Sequence, residues 1–112
     1  MPVLPAVSPT EVSALLKQST PPRLLDVREP PEYVSELGHI EGAELVPLGS
    51  LQQNVAKFQG ETREIVCICR SGMRSQQVAG LLGQLGFSTR NMTGGMLAWN
   101  SAQLPISKAP PK

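Results

Sequence analysis

Cys69, Arg70, Ser71, Gly72, Met73 and Arg74 follow an apolar run and precede a helix-forming stretch expected to open at Ser75. A thiol, a glycine and two guanidinium groups in this order describe a nucleophile set into an anion-binding loop. Loop N–H groups, the positive end of the following helix and two cations all favour ionised sulfur. The thiolate is the reactive form of cysteine, so the expected chemistry is nucleophilic attack on a small oxyanion. Backbone N–H groups of Arg70, Ser71, Gly72, Met73, Arg74 and Ser75 form the expected cradle, with Arg70 and Arg74 attracting the anion. Gly72 is the residue that lets the loop turn tightly.

Cys67 lies inside the apolar run and reads as a core thiol, since free cysteine commonly behaves as a small hydrophobe. A metal pair made of Cys67 and Cys69 needs more ligands, and the chain holds one histidine. No metal and no organic cofactor is therefore expected. A disulfide between these cysteines is disfavoured, because an extended strand holds positions i and i+2 too far apart and in the wrong geometry.

The net charge of +1 hides an uneven distribution. Asp26, Glu29, Glu32, Glu36, Glu41 and Glu44 are six of the nine acidic residues, and none follows Glu64. Arg70, Arg74, Arg90, Lys108 and Lys112 leave the second half attractive to anions. These cations are too sparse for a nucleic-acid footprint, and aromatic residues make up only 4%, too few for base stacking. No apolar run approaches the ~20 residues that span a bilayer. Met1-Pro2-Val3-Leu4-Pro5 lacks the basic and apolar regions of a secretory signal. With only two cysteines, these features give an expected cytoplasmic location and no membrane partner.

The elements that position the loop follow from local signals. Ser8, Pro9 and Glu11 make a capping box for a helix with Val12, Leu15 and Leu16 on one face, ending at Thr20-Pro21-Pro22. Residues 23–27 read as a short buried strand that ends near Asp26, and residues 29–37 as a short helix. Residues 44–46 read as a small strand. Ser50 is placed to cap a helix carrying Leu51, Val55 and Phe58, with Gly60 after it. Residues 64–69 are apolar on both faces, as a central parallel strand requires. Ser75 to Leu85 carries Val78, Ala79 and Leu82 at helical spacing, and Gly86 stops it. A last strand over 87–92 leads through Gly94-Gly95 into a short helix with Trp99. Alternating strands and helices imply an α/β fold with a mostly parallel sheet, whose site lies beyond the carboxyl ends of the strands. One domain over 1–107 and a flexible tail over 108–112 are expected.

The ordered motifs resemble the rhodanese family of sulfurtransferases, in its single-domain form. The matching residues are Leu25-Asp26-Val27-Arg28-Glu29, Glu32-Tyr33, Gly38 to Ala43, Cys69 to Ser75, and Gly94-Gly95 followed by Trp99. Only the spacing from Tyr33 to Gly38 is slightly longer than usual. The resemblance implies a five-stranded sheet flanked by helices on both faces. It also implies that Cys69 takes the outer sulfur of thiosulfate as a persulfide and passes it to cyanide or a thiol. The related phosphatase branch has a loop one residue longer, sized for phosphate. A third possibility within the resemblance is a sulfur carrier whose partner is a protein. His39 and Trp99 read as structural residues, and Asp26 and Arg28 as organisers of the strand-edge loop rather than reacting groups.

Overall fold

The apolar run after Glu64 becomes the middle of a five-stranded parallel sheet in the computed structural model, which describes residues 5–111. The strands are β1 (Ala6–Val7), β2 (Arg23–Asp26), β3 (Glu44–Leu45), β4 (Ile65–Ile68) and β5 (Thr89–Met92), in spatial order β1-β5-β4-β2-β3. The helices are α1 (Pro9–Leu15), α2 (Pro30–Tyr33), α3 (Leu51–Asn54), α4 (Met73–Gln84) and α5 (Gly95–Ser101).

All four residues of β4 are buried, because the strand has neighbours on both sides and helices on both faces. Side chains alternate across a strand. Cys67 and Cys69 accordingly join one core with Leu51 of α3 and Val78, Ala79 and Leu82 of α4. Val66 and Ile68 join the opposite core with Val12 of α1 and Met96 and Trp99 of α5. Two parallel partners on β4 also align the carboxyl ends of β2, β4 and β5 at one edge, where Asp26, Cys69 and Thr93 emerge.

Several boundaries differ from the sequence reading. The Ser8 capping box forms as expected, with Glu11 N–H donating to Ser8 Oγ at 3.2 Å and Ser8 N–H to Glu11 Oε1 at 3.0 Å. The helix it opens ends at Leu15, short of the prolines. The helix expected over 29–37 is one turn, Pro30–Tyr33. Ser50 supplies no side-chain cap; 3₁₀ turns at Leu48–Ser50 and Val55–Phe58 flank α3 instead. α4 begins at Met73, two residues ahead of Ser75. The strand β1, unmarked in the local pattern, pairs with β5 through Ala6↔Asn91 and Val7↔Met92.

After α5, Trp99 Nε1–H donates to the Pro105 carbonyl at 2.9 Å, and His39 and Ser107 exchange two backbone bonds of 2.8 Å. Lys108–Pro111 carries no helix or strand. Met1–Leu4, read above for a signal, and Lys112 lie outside the described residues. No helix among the described residues is long and apolar enough to cross a membrane.

Candidate active site

Cys69 is the first residue beyond β4, and the chain turns at once into α4. Gly72 is the N-cap of α4 with φ 102°, in the left-handed region that disfavours side-chain-bearing residues. An added Cβ there would also lie 3.2 Å from the Gly94 nitrogen. This conformation aims the Gly72 N–H at Cys69 Sγ, at 3.0 Å, and the Ser75 hydroxyl sits 3.3 Å from the same sulfur. The orphan donors of the helix start therefore go to sulfur rather than to a capping side chain. Burial pushes the Cys69 thiol up. The Ser75 hydroxyl and the N–H groups of Ser75, Gly72 and Ser71 outweigh it, leaving the thiol below its ordinary value. Cys67 meets no such donors, and burial, reinforced by the neighbouring Cys69, pushes it up to about 12. Two thiols on one strand face thus differ in chemistry because only one reaches the loop.

The loop carbonyls are held away from the sulfur by α5. Met96 N–H donates to the Cys69 carbonyl at 2.8 Å, and Leu97 N–H to the Arg70 carbonyl at 3.0 Å. Gly95 permits this approach, since a Cβ on it would collide with both carbonyl oxygens. Asn91, which pairs with Cys67 in register, completes the support. Its Nδ2–H donates to the Gly72 carbonyl at 3.1 Å, which turns Oδ1 towards Ser75 Oγ, 2.5 Å away. Ser75 has one hydroxyl proton for two acceptors, Asn91 Oδ1 and Cys69 Sγ. When Asn91 holds that proton, the thiolate depends on the backbone N–H groups.

Sequence reasoning passed over Asn91. Its signal was a polar residue within the β5 strand, buried and three residues ahead of the Gly94-Gly95 turn. A cleft of ≈ 280 Å³ runs beside the loop, bordered by Ser71, Gly72, Met73, Asn91 and Gly94. A larger groove of ≈ 640 Å³ lies along β3 and the Ser107–Pro111 segment, with no residue of the Cys69 loop in its lining.

A model of the rhodanese-like domain matches residues 8–102 of this sequence. This chain belongs to the rhodanese-like family. Among its relatives, YtwF of Bacillus subtilis is 42% identical over 82 residues, which are 73% of this chain and 77% of YtwF. The thiosulfate sulfurtransferase GlpE of Pseudoalteromonas translucida is 35% identical over 83 residues, 70% of this chain and 73% of that one. A crystal structure of a rhodanese-like domain protein from Staphylococcus aureus superposes with a TM-score of 0.81 at 29% identity, over 93% of this chain and 99% of that one. Other relatives are longer: the match to MoeZ of Mycobacterium tuberculosis covers 88% of this chain and 25% of MoeZ.

Within this rhodanese-like domain two expectations need correction, both about cations; Cys69 itself is 1% exposed, inside its loop. Arg74 was read as facing the anion, but both of its terminal nitrogens bind Glu32, each at 2.7 Å. Arg90, counted among the cations that make the second half attractive to anions, pairs with Glu64 at 2.7 Å. Arg70 is exposed and makes no ion pair among the described residues, and Met73, beside the cleft, is 74% exposed.

The remaining motif residues hold structure, as read. Asp26 and Arg28, both 0% exposed, form a two-bond pair of 2.8 and 2.9 Å, and Arg28 also donates to the carbonyls of Gly38 and Glu32. His39 stacks on Tyr33 at 3.5 Å between ring centroids and bonds its carbonyl through Nδ1 at 2.8 Å. Trp99 is a core anchor, 2% exposed.

Proposed function

We propose that this rhodanese-like protein is a sulfurtransferase working through a persulfide on Cys69, with thiosulfate or another persulfide as donor and cyanide or a thiol as acceptor. One observation carries the reading: the Cys69 sulfur receives the Gly72 N–H at 3.0 Å and the Ser75 hydroxyl at 3.3 Å at the start of α4, which favours its ionised form, while burial disfavours that form at Cys67. In the first half-reaction the thiolate attacks the outer sulfur of the donor. The donor S–S bond breaks, its electron pair leaves on sulfite or a thiolate, and a new S–S bond forms on Cys69. In the second, the acceptor attacks the outer sulfur and Cys69 departs as the thiolate it began as. Both leaving groups are stable anions, so neither half-reaction needs a proton donor. The N–H groups of Ser71, Gly72 and Ser75 would stabilise charge on either sulfur, an effect of a few kcal/mol in preorganised sites.

The loop length and the state of the neighbouring acids support sulfur over phosphate chemistry. A phosphate ester needs an acid for its alkoxide, and Asp26, at the same sheet edge, is consumed by Arg28. The name of the Pseudoalteromonas relative supports thiosulfate as one donor. Intact-mass analysis after thiosulfate treatment tests the proposal. One added sulfur, removable by cyanide and lost in Cys69→Ala, is the expected result. Sulfur loading that survives Cys69→Ala and disappears in Cys67→Ala refutes it.

A further inference from the structure

Glu32 stands forty-two residues from Arg74 in sequence, yet its two oxygens occupy both ends of that guanidinium. The carboxylate is anchored: Glu29 N–H donates to Oε1 at 3.0 Å, and Arg28, fixed by Asp26, bonds the Glu32 carbonyl at 3.2 Å. Arg74 stands in the first turn of α4 between Gly72 and Ser75, whose N–H and hydroxyl hold the Cys69 sulfur, so Glu32 brings negative charge to the edge of the site. Charges around the loop then largely cancel. Asp26 offsets Arg28 and Glu32 offsets Arg74, which leaves Arg70, exposed and without an ion pair among the described residues, as the one unpaired cation of the loop. A single unpaired cation is a poor match for a dianion. Two apolar side chains also stand exposed beside the loop: Met73 is 74% exposed, and Leu97, whose N–H holds the Arg70 carbonyl, is 39% exposed.

We infer that Glu32 is a specificity residue that turns this site away from dianionic thiosulfate and towards a persulfide carried on an organic thiol. The inference rests on the sulfurtransferase reading and names its donor class. The reacting end of such a donor bears at most one negative charge, and its organic body meets Met73 and Leu97. The thiolate attacks the outer sulfur of R–S–SH, the donor S–S bond breaks, and the pair leaves on R–S⁻. The proton stays on the transferred sulfur, now bonded to Cys69, and there is no net oxidation.

The test compares thiosulfate with the persulfide of N-acetylcysteine amide, a neutral carrier, in the unmodified protein and in Glu32→Gln. Gln keeps the shape and an oxygen for Glu29 N–H while removing the charge. Expected results are a higher kcat/KM for the persulfide in the unmodified protein and a thiosulfate KM about tenfold lower in Glu32→Gln, the scale of one like-charge repulsion near a protein surface. Persulfide kinetics should change less than about twofold, since its charge at the loop is smaller. A thiosulfate KM that is unchanged or raised overturns the inference. Glu32→Ala serves as the second variant, with thermal unfolding to confirm the fold. Salt offers a check without mutation: if charge sets the preference, the gap between donors narrows as salt rises, and a salt-independent gap overturns the inference. Sulfur on Cys69 is scored by mass throughout. No sulfur from either donor removes the sulfurtransferase reading with this one, whereas loading from both at rates blind to Glu32 removes selectivity alone.

Discussion

Replacing Asn91 with leucine separates the two tasks that its side chain performs. Leucine approximates the volume, so the change removes hydrogen bonds without opening a large cavity. It deletes the 3.1 Å bond to the Gly72 carbonyl and the 2.5 Å bond from Ser75. The Gly72 carbonyl keeps Gln76 N–H at 3.2 Å, so it is not orphaned. At about 1 kcal/mol net per neutral bond the cost is about 2 kcal/mol. For a domain of this size that lowers the unfolding midpoint by about 8 °C. The second effect has the opposite sign at the sulfur. Ser75, relieved of Asn91 Oδ1, has Cys69 Sγ at 3.3 Å as its remaining acceptor. A hydrogen bond to a charged acceptor is worth about 1.5 kcal/mol at the low end, so the Cys69 pKa should fall. The assay is the pH dependence of iodoacetamide alkylation, read by intact mass; Cys67, pushed up to about 12, stays silent at neutral pH. A midpoint that stays put or rises would show that Asn91 does not compete for the Ser75 proton.

Other perturbations follow from the same geometry. Cys67 stays protonated in the folded chain up to about 12, while an unfolded thiol ionises near about 8.5, so its stabilising contribution is intact below about 8.5 and declines as pH climbs towards 12. Chemical denaturation at alkaline pH should show a shallower loss in Cys67→Ala than in the parent chain. Arg28→Met leaves a carboxylate buried without its partner and should lower stability by about 3–5 kcal/mol; a loss below about 1 kcal/mol would mean that water reaches Asp26. Glu32, held at about 2 by the Arg74 guanidinium, contributes stability above its ordinary range near 4.5 that disappears as pH falls towards 2. The pair is partly exposed, so this contribution stays below about 1 kcal/mol, and Arg74→Gln should remove most of its pH dependence, the Glu29 N–H and Arg28 keeping the rest.

What could be read in the chain depended on how local each cause was. The Ser8 capping box, the apolar stretch ending at Cys69 and the Gly86 stop are each written within a few residues, and each appears as read. β1 was invisible because Ala6 and Val7 alone have no pattern; β5 makes them a strand. Ser75 looked like the opening of α4 because serine is a good cap, but Gly72 starts the helix by spending its N–H on sulfur. The burial of Cys69, the capture of Arg74 by Glu32 and the role of Asn91 depend on residues far apart in the chain. Composition showed a basic second half, and pairing across the fold neutralised much of it.

Apart from the Ser75 hydroxyl, the grip on the Cys69 sulfur comes from peptide groups, and α5 fixes the start of the loop that carries them by holding the Cys69 and Arg70 carbonyls, the second of which shares its peptide with the Ser71 N–H. Side chains at 70, 71 and 73 are left facing outwards. The reactive atom and the identity code of its surroundings are thereby uncoupled: a lineage could rewrite those three letters to court a new client without retuning the chemistry underneath.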